Sequence, residues 1–318
     1  MAALHFCIPV YDDWAAVQRM LALLDLVLFG QAEEVHVLLV DDGSGEAPPA
    51  GLDFTPKSLA SVDVLPLRRN LGHQRAIAIG LTYLYARRTG RAVVVMDADG
   101  EDAPADVPKL LAESTRHGDA CMVFAQRARR SEGLRFWAGY QVYKALHRAL
   151  TGRRVEVGNF SVVPWGALER LVGVSEIWNH YPAAVFRARI PVAQIPLPRA
   201  KRLAGRSKMS WVSLVTHGLS AISVQGEIVG VRLVCLGAGL IALAFLGLVG
   251  VGATLVLSPG TVPPWATTAA VLLCVLLVGL LSMLTLPVLF VLQARERYSF
   301  LPLRDYPHYI LPERRLFG

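Results

Sequence analysis

In the first part of the chain, short apolar runs alternate with longer segments whose apolar residues recur at helical spacing. LHFCIPVY (4–11) reads as a strand and DDWAAVQRMLALLDLVLF (12–29) as a helix. EEVHVLLVDDGS (33–44) is a strand running into a turn, and SVDVLPLRR (61–69) is another strand. GHQRAIAIGLTYLYARRTG (72–90) is a helix closed by Gly90, followed by the strand AVVVMDAD (92–99). A helix from about Pro104, a residue suited to a first turn, precedes the strand DACMVFAQR (119–127). This order predicts an α/β fold with a mostly parallel, Rossmann-like sheet and helices on both faces.

The pattern then changes. A stretch at 133–150 carries Leu134, Phe136, Trp137, Tyr140, Tyr143 and Leu146 with basic residues between, and fits either a packed or a membrane-surface helix. Residues 209–232 form the better interfacial candidate, a juxtamembrane amphipathic helix leading directly into an apolar run. From Leu233 to Ala294 there is no Asp, Glu, Lys, Arg or His. Within that window 233–257 and 266–292 each exceed the about 20 apolar residues needed to cross a bilayer, and SPGTVPPW between them is a turn. Two such runs side by side favour a transmembrane hairpin over buried core helices. Arg232 precedes the first span and Arg295, Arg297, Arg304, Arg314 and Arg315 follow the second. Basic flanks are retained in the cytosol, so both termini are expected there and the turn near 258–265 outside. The expected organisation is a cytosolic α/β domain (1–208), the amphipathic helix, two spans (233–294) and a basic cytosolic tail (295–318), in a multi-pass protein of the cytoplasmic (inner) membrane.

Composition agrees with this division. The apolar fraction is 53% and the mean hydropathy +0.42, a bias that the two spans explain. The net charge of +7 comes with no nucleic-acid motif, so anionic lipid or an anionic substrate is the expected counterpart rather than nucleic acid. Cys7, Cys121, Cys235 and Cys274 show no paired spacing and read as reduced apolar residues. The N-terminus has no basic region ahead of its short apolar stretch, so no signal peptide is expected.

The polar chemistry gathers at strand ends. The run VVVM (93–96) leads into Asp97, Asp99, Glu101 and Asp102. Such a cluster is either a solvated turn or a metal site, because alternate residues of an extended chain share a side and hard cations take clustered oxygens. Tyr11–Asp12–Asp13 and Asp41–Asp42–Gly43–Ser44 follow two other strands. In parallel sheets ligands bind beyond the carboxyl ends of strands, so three acidic ends suggest one pocket.

In this order the segments resemble the family 2 glycosyltransferases of the GT-A fold, and more narrowly the polyprenyl-phosphate glycosyltransferases. IPVYDD is similar to that family's first strand and turn, with Asp13 where Glu is usual, and VDDGS (40–44) to its second strand end. RNLGHQRA (69–76) resembles Arg-Asn-x-Gly-x-x opening a helix, and DADGE (97–101) the DAD-x-Gln metal motif with Glu101 in place of Gln. RLAGRSK (202–208) resembles Arg-x-x-Gly-x-Ser-Lys, and RDYPHY (304–309) the Arg-x-Pro-x-Tyr ending of bacterial members.

The resemblance implies a nucleotide-sugar donor site formed by Pro9, Tyr11, Asp13, Asp41, Asp42, Asn70, Gln74, Asp97, Ala98, Asp99, Arg206 and Lys208. It implies Mg2+ or Mn2+ on Asp97, Asp99 and Glu101. Catalytic roles fall to Asp97, Asp99, Arg202, Lys208 and Arg127, the last facing an acceptor phosphate. Arg206 fits a donor contact or a lipid contact equally. The implied reaction is inverting transfer of one sugar from a UDP-glucose-like donor or GDP-mannose to polyprenyl (undecaprenyl) phosphate, and a homo-oligomer is compatible with it.

One departure stands out. Bacterial relatives often read Gly-Asp-Phe where this chain has Gly158–Asn159–Phe160, and Asn cannot act as a base. A phosphate acceptor needs none; a hydroxyl acceptor on a lipid or glycan does, with Glu156 and Glu176 as candidates. That hydroxyl transfer and a catalytically silent membrane scaffold are the rival readings.

Overall fold

The computed structural model describes residues 3–127, 134–152, 157–204, 211–257, 264–296 and 300–318. The chain divides into a larger unit (Met1–Tyr143, Arg154–Val224 and Ser299–Gly318) and a smaller one (Lys144–Arg153 and Gln225–Tyr298).

The larger unit is built on an eight-stranded sheet. Its strands are β1 (Ala3–Val10), β2 (Glu34–Asp41), β3 (Leu59–Pro66), β4 (Ala92–Val95), β5 (Met122–Arg127), β6 (Val157–Pro164), β7 (Val192–Leu197) and β8 (Arg314–Phe317), in the order β7-β5-β6-β4-β1-β2-β3-β8. β4, β1, β2 and β3 run parallel, as do β5 and β7. β6 is antiparallel to both β4 and β5, and β8 is antiparallel to β3. The mostly parallel sheet expected from the sequence is present, with three strands beyond those predicted.

The central strands are buried on both faces, which is why they read as near-continuous apolar runs. Leu4, Phe6, Ile8 and Val10 of β1 face one core with α1 (Trp14–Val27), while Cys7 faces the other with α2 (His73–Arg87). In β4, Val94 joins the first core and Val93 and Val95 the second. α3 (Val107–Arg116) packs into the first core; α5 (Trp165–Leu171) and α6 (Tyr181–Arg187) pack into the second. Between them in the chain, α4 (Leu134–Thr151) is the helix expected at 133–150.

Some boundaries differ from expectation. α2 ends at Arg87 rather than Gly90, because residues 88–91 are drawn to the start of β1. There the Arg91 amide donates to the Ala3 carbonyl at 2.8 Å, and a Cβ on Gly90 would lie 2.7 Å from the same oxygen. The stretch 209–232 is not one helix: α7 (Trp211–Ser223) stops and α8 (Gly226–Leu257) begins three residues on. The tail re-enters the larger unit and supplies β8 along the edge of β3. Arg315 donates to Asp63 at 2.8 Å and Glu313 pairs with Arg88 at 3.0 Å.

In the smaller unit α8 and α9 (Pro264–Glu296) form an antiparallel hairpin. A Cβ on Gly237 would meet Leu284, and one on Gly247 would meet Leu273. Gly226–Thr254 and Trp265–Leu289 are long and apolar enough to cross a bilayer, with mean hydropathy 2.5 and 2.7. Leu243, Leu246, Val271, Leu272 and Leu286 are exposed, an apolar surface suited to lipid.

Candidate active site

Three loops at the carboxyl ends of β1, β2 and β4 form the rim of the larger unit. The loop after β1 turns sharply: Asp12 has φ +47°, and its Oδ1 accepts from the amides of Gly45 at 2.6 Å and Glu46 at 3.1 Å. Ser44 Oγ in turn accepts from the Asp12 amide at 2.9 Å, and Asp41 Oδ1 accepts from the Ser44 amide at 2.9 Å. The first two loops are therefore tied together by carboxylate-to-amide contacts.

Asp42 is buried, and its two oxygens accept from the amides of Leu71 at 2.7 Å and Gly72 at 2.9 Å, fixing the entry to α2. Burial pushes its pKa up, opposed by those two amides. Gly43 has φ +71°, and a Cβ there would come within 2.6 Å of the Asn70 amide nitrogen, so glycine permits this approach. Pro9 is buried in β1, Tyr11 is exposed, and Asn70 is exposed on the loop before α2.

The acidic turn after β4 is held from several sides. Asp102 Oδ2 accepts from the Asp97 amide, and Asp99 Oδ1 accepts from the Glu101 amide, both at 2.9 Å. Ala98 is buried beneath the turn. A strap over 199–204 lies across it, with the Leu203 amide donating to Asp99 O at 2.9 Å and the Ala200 amide to Glu101 O at 3.0 Å. Gly100, at φ +79°, lets Leu203 pack there, since a Cβ would lie 2.4 Å from Leu203 Cγ.

Arg202 on this strap bridges two of the loops. Its guanidinium donates to Asp13 Oδ2 at 2.5 Å and to Asp99 Oδ2 at 3.1 Å. Burial and the neighbouring Asp97 charge raise the Asp99 pKa, opposed by Arg202 and Arg199. Glu101 turns away to pair with Arg199. Among the described residues no set of three His, Cys, Asp or Glu side chains is gathered around a common point, so the expected trio of Asp97, Asp99 and Glu101 is not assembled as ligands here.

On the other side of the turn, Asp97 Oδ1 lies 3.0 Å from His73 Nε2 and 3.4 Å from Asn159 Nδ2. Crowding by protein atoms lowers the His73 pKa, but the carboxylates of Asp97, Asp102 and Asp42 outweigh it and the net direction is upward. Gln74, expected to contact the donor, is buried and donates to Asn159 Oδ1 at 3.0 Å.

The structure thus brings Asp13, Asp97, Asp99 and Arg202 together from segments far apart in sequence. Arg127 closes β5, and its side chain lies outside the described residues, as do Arg206, Lys208 and Glu156. Glu176 lies in the short 3-10 turn Ser175–Trp178, paired with Arg187 at 3.4 Å. His73 and Arg199 were not singled out from sequence. His73 sits inside the motif RNLGHQRA, but nothing in its spacing announces contact with Asp97.

Comparison with known proteins places this arrangement. A transferase of Erwinia tasmaniensis, undecaprenyl-phosphate 4-deoxy-4-formamido-L-arabinose transferase, is 27% identical over 262 residues, covering 76% of this chain and 77% of the relative. The protein of the same name from Klebsiella pneumoniae is 24% identical over 213 residues, 65% of this chain and 63% of its own length. Among solved structures, glucosyl-3-phosphoglycerate synthase from Mycobacterium tuberculosis, bound to Mn2+, UDP-glucose and phosphoglyceric acid, aligns with a TM-score of 0.50 at 16% identity. That alignment covers 72% of this chain and 80% of the synthase, and shows the fold to be GT-A-like. Residues 6–169 match the family Glycosyl transferase family 2, so this chain belongs to that family and is a glycosyltransferase.

Proposed function

We propose that this glycosyltransferase moves one sugar from a nucleotide-sugar donor to a polyprenyl phosphate, such as undecaprenyl phosphate, at the cytoplasmic face of the inner membrane. The observation that carries the reading is the joining, in one chain, of the acidic strand-end site to two bilayer-length helices. The names of its relatives support it further, since theirs is an undecaprenyl-phosphate acceptor. A long apolar acceptor is confined to the membrane, and an enzyme anchored by a hairpin meets it there.

The donor's diphosphate is the leaving group, and charge builds on it as the sugar–phosphate bond breaks. Asp97 and Asp99, two neighbouring carboxylates at the rim, would offer oxygens suited to a hard divalent ion, Mg2+ or Mn2+. Such an ion, when bound, supplies Lewis-acid neutralisation of the diphosphate. Arg202, paired with Asp13 and Asp99, places positive charge beside the rim where the donor's phosphates would bind. Lys208 and Arg206, by their motif, add charge from the same basic segment. By the family resemblance, Pro9, Tyr11, Asp13, Asp41, Asn70 and Ala98 are assigned to the donor side and Arg127 to the acceptor phosphate.

The acceptor attacks as an anion. A lipid phosphate is already charged at neutral pH, its second pKa being about 6, so no side chain has to remove a proton. Asn159 at this site suits that chemistry and not activation of a hydroxyl. The test is a panel of nucleotide sugars, including UDP-glucose, GDP-mannose and a UDP-linked 4-formamido pentose, offered with undecaprenyl phosphate or undecaprenol. Transfer to the phosphate alone is expected; equal use of the alcohol would refute the acceptor assignment.

A further inference from the structure

We infer that Gln74 and Asn159 are positioning residues that orient Asp97 toward the donor's divalent ion, through a one-way chain of hydrogen bonds starting at a backbone amide. The inference rests on the proposed metal role of Asp97. It gives Gln74 a different part from the donor contact expected from its motif.

The direction of the chain follows from which atoms are able to donate. The Tyr181 amide only donates, so the Gln74 atom 2.7 Å from it is the oxygen, Oε1. Gln74 Nε2 then points the other way and donates to Asn159 Oδ1 at 3.0 Å. Asn159 is left with Nδ2 facing the rim, 3.4 Å from Asp97 Oδ1 and 2.9 Å from His73 Nε2. Both amides are 8% exposed, so each flip would bury an unpaired donor or acceptor instead of handing it to water.

The origin of the chain is itself fixed. Tyr181 is fully buried, and its hydroxyl lies 2.6 Å from Ser161 Oγ, which donates to the Asn159 carbonyl at 2.8 Å. Since the Ser161 proton is committed to that carbonyl, the Tyr181 hydroxyl is the donor to Ser161. The loop closes on Asn159 and locks its backbone and side chain together.

The outcome is a neutral Asn159 N–H facing one oxygen of Asp97 at 3.4 Å, beside His73 Nε2, which lies 3.0 Å from the same oxygen. Groups that hydrogen-bond a ligating carboxylate set its rotamer and basicity, and their loss typically lowers metal affinity by about 10- to 100-fold. An acid at position 159 would aim an oxygen at Asp97 where this chain aims an N–H.

The experiment uses the full chain in detergent micelles and Mn2+ alone, with free ion counted by electron paramagnetic resonance. Asn159→Ala and Gln74→Glu are compared with wild type, the double variant and Asp97→Asn. Glu at 74 keeps the shape and the acceptor for Tyr181 but removes the donor to Asn159; Gln74→Met takes its place if that variant does not fold. Each single change is expected to weaken Mn2+ binding by about 10- to 100-fold. The double variant should be no weaker than the poorer single, because both act through one contact. Wild-type affinity in both single variants, with binding lost in Asp97→Asn, would overturn the positioning role and leave the metal reading standing. Absence of Mn2+ binding by wild type, or its survival in Asp97→Asn, would overturn both.

Discussion

Charge at single residues decides what the rim is able to do. Asp97 and Asp99 repel each other, and burial adds to the cost of ionising Asp99. A buried carboxylate whose ionisation is disfavoured in this way loses little stability when it is made neutral, and it is the kind of group that a bound cation would favour. Asp99→Asn should therefore not lower the unfolding temperature of the ligand-free protein, while Asp97→Asn and Asp99→Asn should each cut sugar transfer. The fall should exceed the about 10- to 100-fold typical of removing a group that only orients a ligand. Thermal melts and a transfer assay on the same preparations check both halves. Unchanged transfer in either variant would return the cluster to a structural turn. Asp42 contrasts with them, for its two oxygens are committed to the amides of Leu71 and Gly72.

At the scale of elements, one charged node ties three segments of the sheet's opposite end. Arg91, just before β4, donates to Asp119 at 2.8 Å and to Glu33 at 2.6 Å, and Ser114 in α3 donates to Asp119 at 2.7 Å. The Arg91 guanidinium is the main reason the Asp119 carboxyl is held below its usual range. A depressed carboxylate pKa contributes stability above the unfolded value of about 3.9, and that contribution is lost as pH falls through the folded value. Asp119→Asn should accordingly melt lower than wild type at neutral pH, with the gap closing in acid. Asp119 also holds φ +54°, which Asn tolerates, so the comparison isolates charge from backbone strain. A gap that persists unchanged in acid would show that packing, and not the ion pair, is responsible.

For the whole molecule, connectivity constrains topology. Residues 154–224 and 299–318 belong to one unit, whose sheet takes β6 and β7 from the first stretch and β8 from the second, so the chain between them leaves and returns on the same side of any membrane it crosses. Any crossing must then be made an even number of times, a condition that two helices of bilayer length would meet. Cysteine placed at Thr261, between the two helices in sequence, should react with an impermeant reagent applied outside intact cells, and cysteine at Arg314 in β8 should react only after lysis. Labelling of Arg314→Cys from outside would break the model of a cytosolic catalytic unit.

The local chemistry of the chain was enough to foretell much of this. Strands β1 to β5 and helices α1 to α4 follow from period-2 and period-3.6 patterns, because each element must bury its own apolar face. The hairpin follows from run length and missing charge, properties that need no folding partner to read. The acidic strand ends were visible for the same reason. What sequence left undetermined depends on neighbours far along the chain. β8 is four residues long and becomes a strand only where the edge of β3 offers it hydrogen bonds and Asp63 offers Arg315 a partner. Asn159 was legible as a missing base but not as a donor to Asp97, since its orientation is dictated by Gln74 and the Tyr181 amide. Glu101 reads as a ligand beside Asp99, yet the strap places Arg199 against it. Periodicity determines which face of an element is buried; which polar atoms meet at the site is settled only when the strands and the strap come together, because hydrogen bonds are short and directional.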